Sequence, residues 1–167
     1  VMGFNVKVDG NWRSFRHRNY RILFPANSVS NIGSWAQRIA QDWLVLELTN
    51  NNGTYLGLVT AVQFAPVLAF SLHGGKLADR FNKRKVLILT NIIGGAASLA
   101  LGALVMTDLI ALWHVFVLAG ILGISTAIDA PVRQSFTTEV VGQTDLPNAV
   151  SLNSANFNAG RLVGPAV

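Results

Sequence analysis

The chain has 167 residues, of which 51% are apolar and only 13% are charged. That charged fraction is roughly half the value found in soluble globular proteins. The composition therefore excludes water as the main solvent of this chain. Its net charge of +5 would suit a nucleic-acid-binding protein, but ten of its thirteen bases fall in two short segments, and we predict no nucleic-acid partner. The sequence has no cysteine, which excludes disulfides and thiolate metal sites, and its three histidines are too scattered to suggest a metal cluster, so we predict no metal and no cofactor.

Residues 1–21 form a basic amino-terminal segment that we expect to lie in the cytoplasm. Its bases are interleaved with aromatic side chains such as Trp12 and Phe15, a mixture that suits the lipid headgroup layer. An RNA-binding arm could have the same composition, but the apolar run that follows favours contact with the lipid bilayer. No cleavable signal is predicted, because the bases do not lead into a short apolar core with a small-residue cleavage site. The bases are Lys7, Arg13, Arg16, Arg18 and Arg21.

Residues 22–48 are predicted to form the first transmembrane helix, which is unusually polar. Its polar residues recur at steps of three and four, which places them in one stripe along a helix. Because charged and amide groups facing hydrocarbon are costly, the stripe should face protein or a water-filled cavity, and it is a candidate substrate and coupling path. The stripe contains Asn27, Asn31, Ser34, Arg38 and either Gln41 or Asp42.

Arg38 and Asp42 are the charged members of this stripe, and they are four residues apart. At that spacing the two side chains can pair along one helix face. One interpretation is that Asp42 binds a proton or a cationic group while Arg38 controls its affinity. The alternative is a static ion pair that only holds helices together.

Two apolar runs, residues 55–75 and 86–106, are predicted to be the second and third transmembrane helices. Each has twenty-one residues without Lys, Arg, Asp or Glu, against the ~20 that a spanning helix needs. Small residues recur at steps of four in both runs, which is typical of close helix packing. They are Gly57, Ala61, Ala65 and Ala69 in the second helix and Gly94, Ser98 and Gly102 in the third.

The connections between the predicted helices differ in charge. The turns at 49–54 and 107–108 contain no base, whereas residues 76–85 contain five. Since short loops rich in Lys and Arg stay in the cytoplasm, the 76–85 loop and the amino terminus are predicted to be cytoplasmic.

The sequence of this loop resembles a family signature. Residues 75–85 read GKLADRFNKRK and are similar to the loop between helices 2 and 3 of the major facilitator superfamily, whose pattern is Gly-x-Leu-Ala-Asp-Arg-x-Gly-Arg-Arg/Lys. Asn82 stands where the family usually has glycine, and asparagine tolerates a left-handed backbone, so we expect the turn to survive. The resemblance implies that Asp79 and its basic neighbours latch helix ends of the two transporter halves; the alternative is a solvated loop that only fixes orientation. The candidate latch residues are Gly75, Asp79, Arg80, Lys83 and Arg84.

Residues 109–128 are predicted to form the fourth transmembrane helix, with Ala119, Gly123 and Ala127 as its close-packing edge. Many proton-coupled members of the superfamily carry an arginine in this helix, and this chain has none there. The resemblance therefore assigns no proton-coupling residue to this helix. We expect the helix to end at residues 129–133 and a cytoplasmic loop to run to Pro147.

Residues 148–167 are predicted to begin a fifth transmembrane helix with a second polar stripe. That stripe contains Ser151, Ser154, Asn158 and Arg161, and the last two are further candidates for the substrate or coupling path. Gly160, Gly164 and Pro165 resemble the front of the glycine-proline motif that exporters of the superfamily place in helix 5. The alternative is that these glycines only let a neighbouring helix pack closely. Because the chain stops inside this helix, we interpret it as the truncated front portion of a larger transporter, whose missing carboxy-terminal half would be its partner.

Across residues 13–167 the chain resembles the siderophore- and macrolide-exporter branch of the superfamily. The resemblance implies an all-α membrane protein with four complete transmembrane helices plus the start of a fifth, from the first six-helix half of the fold. Outside the loop signature it rests on the order of Asn31, Gly33, Trp43, Leu48, Pro131, Arg133, Asn153, Arg161, Gly164 and Pro165.

The function implied is secondary active transport, with export of a siderophore or drug-like small-molecule substrate across the bacterial inner membrane. Transport would be driven by the gradient of a coupling ion, expected to be a proton, through alternating access. No enzyme activity is expected. The alternative is a non-transporting membrane scaffold or an inactive fragment. A scaffold would not need Arg38, Asp42 and Arg161 at membrane depth.

Overall fold

The computed structural model describes residues 13–71 and 82–166, and within those ranges it is helical, with no β-strand. Four α-helices follow in order: α1 (Arg18–Leu48), α2 (Gly53–Ser71), α3 (Lys83–Met106) and α4 (Leu112–Val163). Short 3-10 helices, Arg13–Arg16 and Gly164–Ala166, precede α1 and follow α4. The chain divides into two compact units: unit 1 comprises residues 1–37 and 137–167, and unit 2 comprises residues 38–136.

The core of unit 2 is an apolar cluster to which all four helices contribute. Fully or almost fully buried side chains from each helix meet there, and partly buried leucine, isoleucine and phenylalanine side chains surround them. Burial of such side chains stabilises the packed helices by roughly 25 cal/mol for each Å² of apolar surface that is removed from water. The buried members are Leu44 and Val45 of α1, Val59 of α2, Leu101 of α3, and Val115 and Ala119 of α4.

The predicted small-residue edge of α4 is confirmed as a close-packing surface. Ala119 and Ala127 are buried, and a Cβ atom at Gly123 would lie 3.0 Å from the carbonyl carbon of Gln63 in α2. That distance is too short for any side chain. Glycine therefore allows the backbones of α2 and α4 to meet at this level.

The small-residue ridges predicted in α2 and α3 do not form the contacts expected of them within the described residues. Cβ atoms built at Gly57, Gly94 or Gly102 would have nothing within 4 Å. The two helices instead pack through other faces, with Val59 of α2 and Leu101 of α3 in the core. Periodicity identifies a face of small residues but does not tell which face a neighbouring helix will cover.

The helix expected to end at residues 129–133 continues through them, so the prediction of a loop from there to Pro147 was wrong. The regular backbone is interrupted only at Gly142 within α4, where φ is 73° and ψ is 168°. Asp129 and Arg133 stabilise the continuation by an ion pair four residues apart, at 2.7 Å. Gly142 breaks the helix because a residue without Cβ adopts a positive φ at little steric cost.

Unit 1 packs the first part of α1 against the carboxy-terminal part of α4, residues 143–163. The Tyr20 hydroxyl donates to the Ala149 carbonyl, Asn31 lies against Gly160, and Trp35 lies against Gly164. The residues of each pair are 129 positions apart, so contacts advance in step along both helices. The two segments are therefore parallel, which is the relation that a first and a fifth membrane crossing must have.

Three of the four helices in the described part of the chain are long and apolar enough to cross a membrane, namely α2, α3 and α4. They carry large apolar side chains on their outer faces, such as Leu99, which is 77% exposed, and Leu162, which is 79% exposed. Helix α1 does not meet the same criterion, because the polar stripe with Arg38 and Asp42 lowers its hydropathy. The count of four complete crossings therefore stays a prediction.

Candidate functional site

The loop signature lies mostly outside the described residues, which include neither Gly75, Asp79 nor Arg80. The described part begins at Asn82, which caps α3: its side-chain oxygen accepts a hydrogen bond from the Lys85 amide at 3.2 Å. Asn82 has φ −65° and ψ 105°, so its backbone is extended, not left-handed as the comparison with glycine suggested. Asparagine serves here as a helix N-cap, a position it favours strongly. Lys83 and Arg84 follow in the first turn of α3.

The amino-terminal half of the α1 stripe is used for helix packing in unit 1. The Asn31 amide donates to the Asn156 carbonyl at 2.8 Å, which joins α1 to the carboxy-terminal part of α4. The exposed Ser34 hydroxyl donates to the Ser30 carbonyl of its own helix at 2.8 Å, and Asn27 is partly buried. Asn31 is therefore a structural contact, whereas Ser34 is turned towards open space.

Arg38 and Asp42 lie together in unit 2, both partly buried, and their charges attract each other. The Arg38 guanidinium carbon also lies 5.0 Å from the centre of the Phe64 ring of α2, within range for a cation–π contact. The Phe64 ring thus gives the guanidinium an aromatic contact in addition to the nearby Asp42 charge. Asp42 keeps an accessible side, as a group that exchanges protons would need.

Gln41 and Asp42 were alternatives for the same place in the stripe, and the structure separates them. Gln41 is 1% exposed and lies one turn before Val45, on the face of α1 that enters the unit 2 core. Its amide nitrogen and oxygen have no hydrogen-bond partner among the described residues. Asp42 is thus the stripe member that reaches accessible space, and Gln41 is a buried polar group.

In unit 1, Arg161 lies over an aromatic platform. Its guanidinium carbon is 5.8 Å from the centre of the Trp35 ring, and Phe157 packs edge-on against the same tryptophan, with 5.4 Å between ring centres. Trp35 and Phe157 were not among the predicted site residues. The sequence signal for Phe157 was its position one helical turn before Arg161, a spacing that places both side chains on the same helix face.

Gly160 and Gly164 allow the two helix backbones to approach at this platform. A Cβ atom at Gly160 would lie 2.6 Å from the Asn31 amide nitrogen, and one at Gly164 would lie 2.5 Å from the Trp35 Cβ. Both distances are shorter than real Cβ contacts allow. Close packing against α1 is thus the role that the described contacts give these glycines. Asn158, the other path candidate in this helix, donates to the Ser154 carbonyl one turn earlier at 2.9 Å and is exposed.

A further polar network joins α3 to α4 in unit 2, where sequence reasoning predicted only a helix end. Arg133 donates to both carboxylate oxygens of Asp129, at 2.7 and 2.9 Å. The Thr90 hydroxyl donates to Asp129 at 2.7 Å, and the Ser125 hydroxyl donates to the Thr90 carbonyl at 3.0 Å. Asp129 and Arg133 are four residues apart, which is the spacing of an ion pair on a helix. That spacing was the sequence signal for this network.

The amino-terminal segment is fastened to the carboxy-terminal part of α4 in unit 1. Ser14 is buried and donates its amide and its hydroxyl to the Asn148 side chain, at 3.0 and 2.9 Å. His17 contacts the Asp145 carboxylate at 3.0 Å, with Arg13 at 3.9 Å. The described part of the basic segment is therefore an ordered structural element.

Comparison with known proteins gives one family. The family described as transmembrane secretion effector matches residues 9–167. The staphyloferrin A transporter of Staphylococcus aureus (strain NCTC 8325 / PS 47) is 28% identical over 148 residues, which are 88% of this chain and 37% of that protein. The multidrug efflux pump Tap of Mycolicibacterium fortuitum is 28% identical over 87% of this chain and 36% of the relative.

The macrolide efflux protein A of Streptococcus pyogenes is 25% identical over 91% of this chain and 38% of the relative. This chain thus spans a little over a third of the length of these curated relatives. No solved structure gives a significant match.

Proposed function

This chain belongs to the transmembrane secretion effector family of the major facilitator superfamily, and on that premise we propose that it forms the amino-terminal part of a secondary active exporter of small molecules. The observation that carries the proposal is the family match over residues 9–167, together with relatives named as transporters and efflux pumps. Export moves a substrate without making or breaking covalent bonds, so we expect no enzyme activity.

The proposed mechanism is alternating access, in which two six-helix halves rock about a central site. Three helices of this chain are long and apolar enough to cross a membrane, and we propose that α1 and the carboxy-terminal part of α4 cross it as well. Their polar residues, Ser34, Arg38, Asp42, Asn158 and Arg161, would line the path. The parallel course of α1 and residues 143–163 supports this assignment of first and fifth crossings.

We propose that the protein resides in the plasma membrane of a bacterium with its amino terminus in the cytoplasm. The charge distribution supports this orientation, because five bases precede α1's apolar part and five lie in the 76–85 loop, with none in the turns at 49–54 and 107–108. The named relatives are bacterial. Siderophore-like and drug-like molecules are the substrate classes that the relatives' names suggest.

The test uses the full coding sequence that contains this chain, expressed in a bacterium stripped of its own efflux pumps. Everted membrane vesicles with an imposed pH gradient should accumulate a macrolide or a siderophore above the level in vesicles without the protein. A protonophore should abolish that accumulation. If the protein is present in the membrane and no compound accumulates under either a proton or a sodium gradient, the exporter proposal is wrong and a scaffold role is favoured.

Asp79 is proposed to act in the same transporter as a latch between conformational states. Replacing it by Asn in the full-length protein should leave membrane insertion intact but strongly reduce transport, because a latch sets the balance of inward and outward states. Arg21→Gln, another charge change at the proposed cytoplasmic side, is the control. Near-normal accumulation by the Asp79→Asn protein would show that the aspartate is only a loop charge.

A further inference from the structure

We propose that Arg161, supported by Trp35 and Phe157, forms a subsite for a carboxylate group of the transported substrate. The inference rests on the proposed transport function and adds to it the charge class of the substrate: an organic anion. Neither aromatic residue was predicted from the sequence, and the three side chains meet only in the folded chain.

The charge balance of the site favours an anionic ligand. Within the described residues no acidic side chain pairs with Arg161, and its recorded interaction is the one with the Trp35 ring. The other cation of the polar stripes, Arg38, has Asp42 beside it on the same helix. Among the described residues Arg161 is therefore a cation without an acidic partner, and an anion can neutralise it.

The predicted depth of Arg161 in the membrane also favours a substrate site. Trp35 is the midpoint of the predicted first crossing, residues 22–48, and Arg161 lies against it. A charged side chain in the middle of a membrane faces protein or a water-filled cavity, because facing hydrocarbon is costly. Substrate sites of such transporters lie near the midplane, so the position suits substrate and not lipid headgroups.

The geometry of the Arg161 guanidinium group suits a carboxylate. A guanidinium placed over an aromatic face keeps the N–H donors at the edge of its plane available, and these match the two oxygens of a carboxylate. The close approach at Gly160 and Gly164 holds the helix of Arg161 against α1, so the platform is preorganised. Phe157 is 52% exposed and offers an apolar surface beside the charge for the rest of the substrate.

The test compares two dyes with the same xanthene ring system and opposite charge: carboxyfluorescein, an anion, and tetramethylrhodamine ethyl ester, a cation. Binding to the purified full-length protein is followed by fluorescence anisotropy. The protein should bind the anion at least about tenfold more tightly than the cation. Arg161→Gln should weaken anion binding by about tenfold or more, since a hydrogen bond to a charged group is lost.

Arg161→Lys keeps the charge but loses the planar fork, and it should weaken binding of the anion by only a few-fold. Arg21→Gln removes an exposed arginine outside the platform and should leave anion binding unchanged. Gel filtration of each variant checks folding, and the lysine variant decides the matter if the glutamine variant aggregates. Equal anion binding by wild type and Arg161 variants, preference for the cation, or binding of neither dye would overturn the proposal.

The same proteins separate this inference from the proposed function. Gradient-driven accumulation of a macrolide or siderophore with dye binding that does not depend on Arg161 would leave the exporter standing and remove the carboxylate subsite. Arg161-dependent anion binding without accumulation of any compound would retain the subsite and contradict the exporter.

Discussion

At the scale of single residues, we propose that the charged pair in α1, Arg38 and Asp42, couples transport to an ion gradient. Arg38 contacts the Phe64 ring as well as attracting Asp42, so the guanidinium has an alternative partner if the pair separates. A carboxylate that gains and loses a nearby cation changes its affinity for protons. This arrangement could couple a conformational change to proton binding, and a permanent ion pair could not.

We predict that Asp42→Asn in the full-length protein inserts and binds substrate but loses accumulation driven by a pH gradient, by about tenfold or more. The amide keeps the shape and polarity of the carboxylate and removes only its ability to exchange a proton. The measurement is substrate accumulation in everted vesicles under an imposed pH gradient. Glu47→Gln, an exposed carboxylate in the same helix, is the matched control and should accumulate normally.

A static ion pair gives a different pattern in the same assay. Single removal of Arg38 or Asp42 would then impair folding, and the charge-swapped double variant would restore both folding and transport. Undiminished accumulation by Asp42→Asn would also exclude the coupling role. Of the two polar residues at this level of α1, Gln41 is buried in the unit 2 core and Asp42 is the accessible one.

At the scale of helices, the sequence predicted which segments are helical far better than where the helices end. The apolar runs at 55–75 and 86–106 correspond to α2 and α3, because uninterrupted apolar composition is itself the signal. The predicted end of the fourth helix at residues 129–133 was wrong, because the helix continues through Pro131. Proline removes one donor, but the Asp129–Arg133 ion pair bridges that turn, and the regular helical backbone is interrupted only at Gly142.

The site was predictable only in part, for a related reason. Helical periodicity placed Arg38 and Asp42 on one stripe, as well as Asn158 and Arg161 on another. It could not show that Trp35 lies under Arg161, because that contact depends on the register between two segments far apart in sequence. Nor could it show that Gln41 is turned into the core, since one residue's difference rotates a side chain about 100° around a helix.

The glycines that set this register give a graded prediction. Gly164→Ala should destabilise the protein, lowering the apparent melting temperature of the detergent-purified chain by several degrees, because the new Cβ would meet the Trp35 Cβ and the Ala36 backbone. Gly160→Ala should cost less, since the nearest atom belongs to the flexible Asn31 side chain. Gly33→Ala, with nothing within 4 Å, should be neutral or stabilising because alanine is the better helix former.

The order of the three variants is the informative result. Equal losses at Gly164 and Gly33 would mean that α1 and the carboxy-terminal part of α4 do not pack closely, and the Arg161 platform would lose its support. A loss at Gly164 alone would agree with close backbone packing as the main role of that glycine.

At the scale of the whole molecule, the orientation in the membrane follows from charge. The ten bases of the amino-terminal segment and the 76–85 loop, against none in the turns at 49–54 and 107–108, predict a cytoplasmic amino terminus. Because this chain has no cysteine, it adds no labelling of its own, and the unaltered full-length protein gives the background for each single-cysteine variant. We predict that Leu109→Cys is labelled by a membrane-impermeant thiol reagent in intact cells, and that Asn82→Cys is labelled only after the membrane is permeabilised.

These positions suit the test because both are exposed in the structure and neither lies inside an apolar core. Leu109 is preferable to Asn51 in the other outer turn, since Asn51 has a positive φ of 62° that cysteine would adopt with strain. The parallel packing of α1 with residues 143–163 adds a constraint that charge does not provide: the two segments must cross in the same direction. Labelling at position 82 but not at 109 in intact cells would show that the orientation is the opposite of the predicted one. It would also place the 76–85 loop, with the proposed latch, on the outer surface.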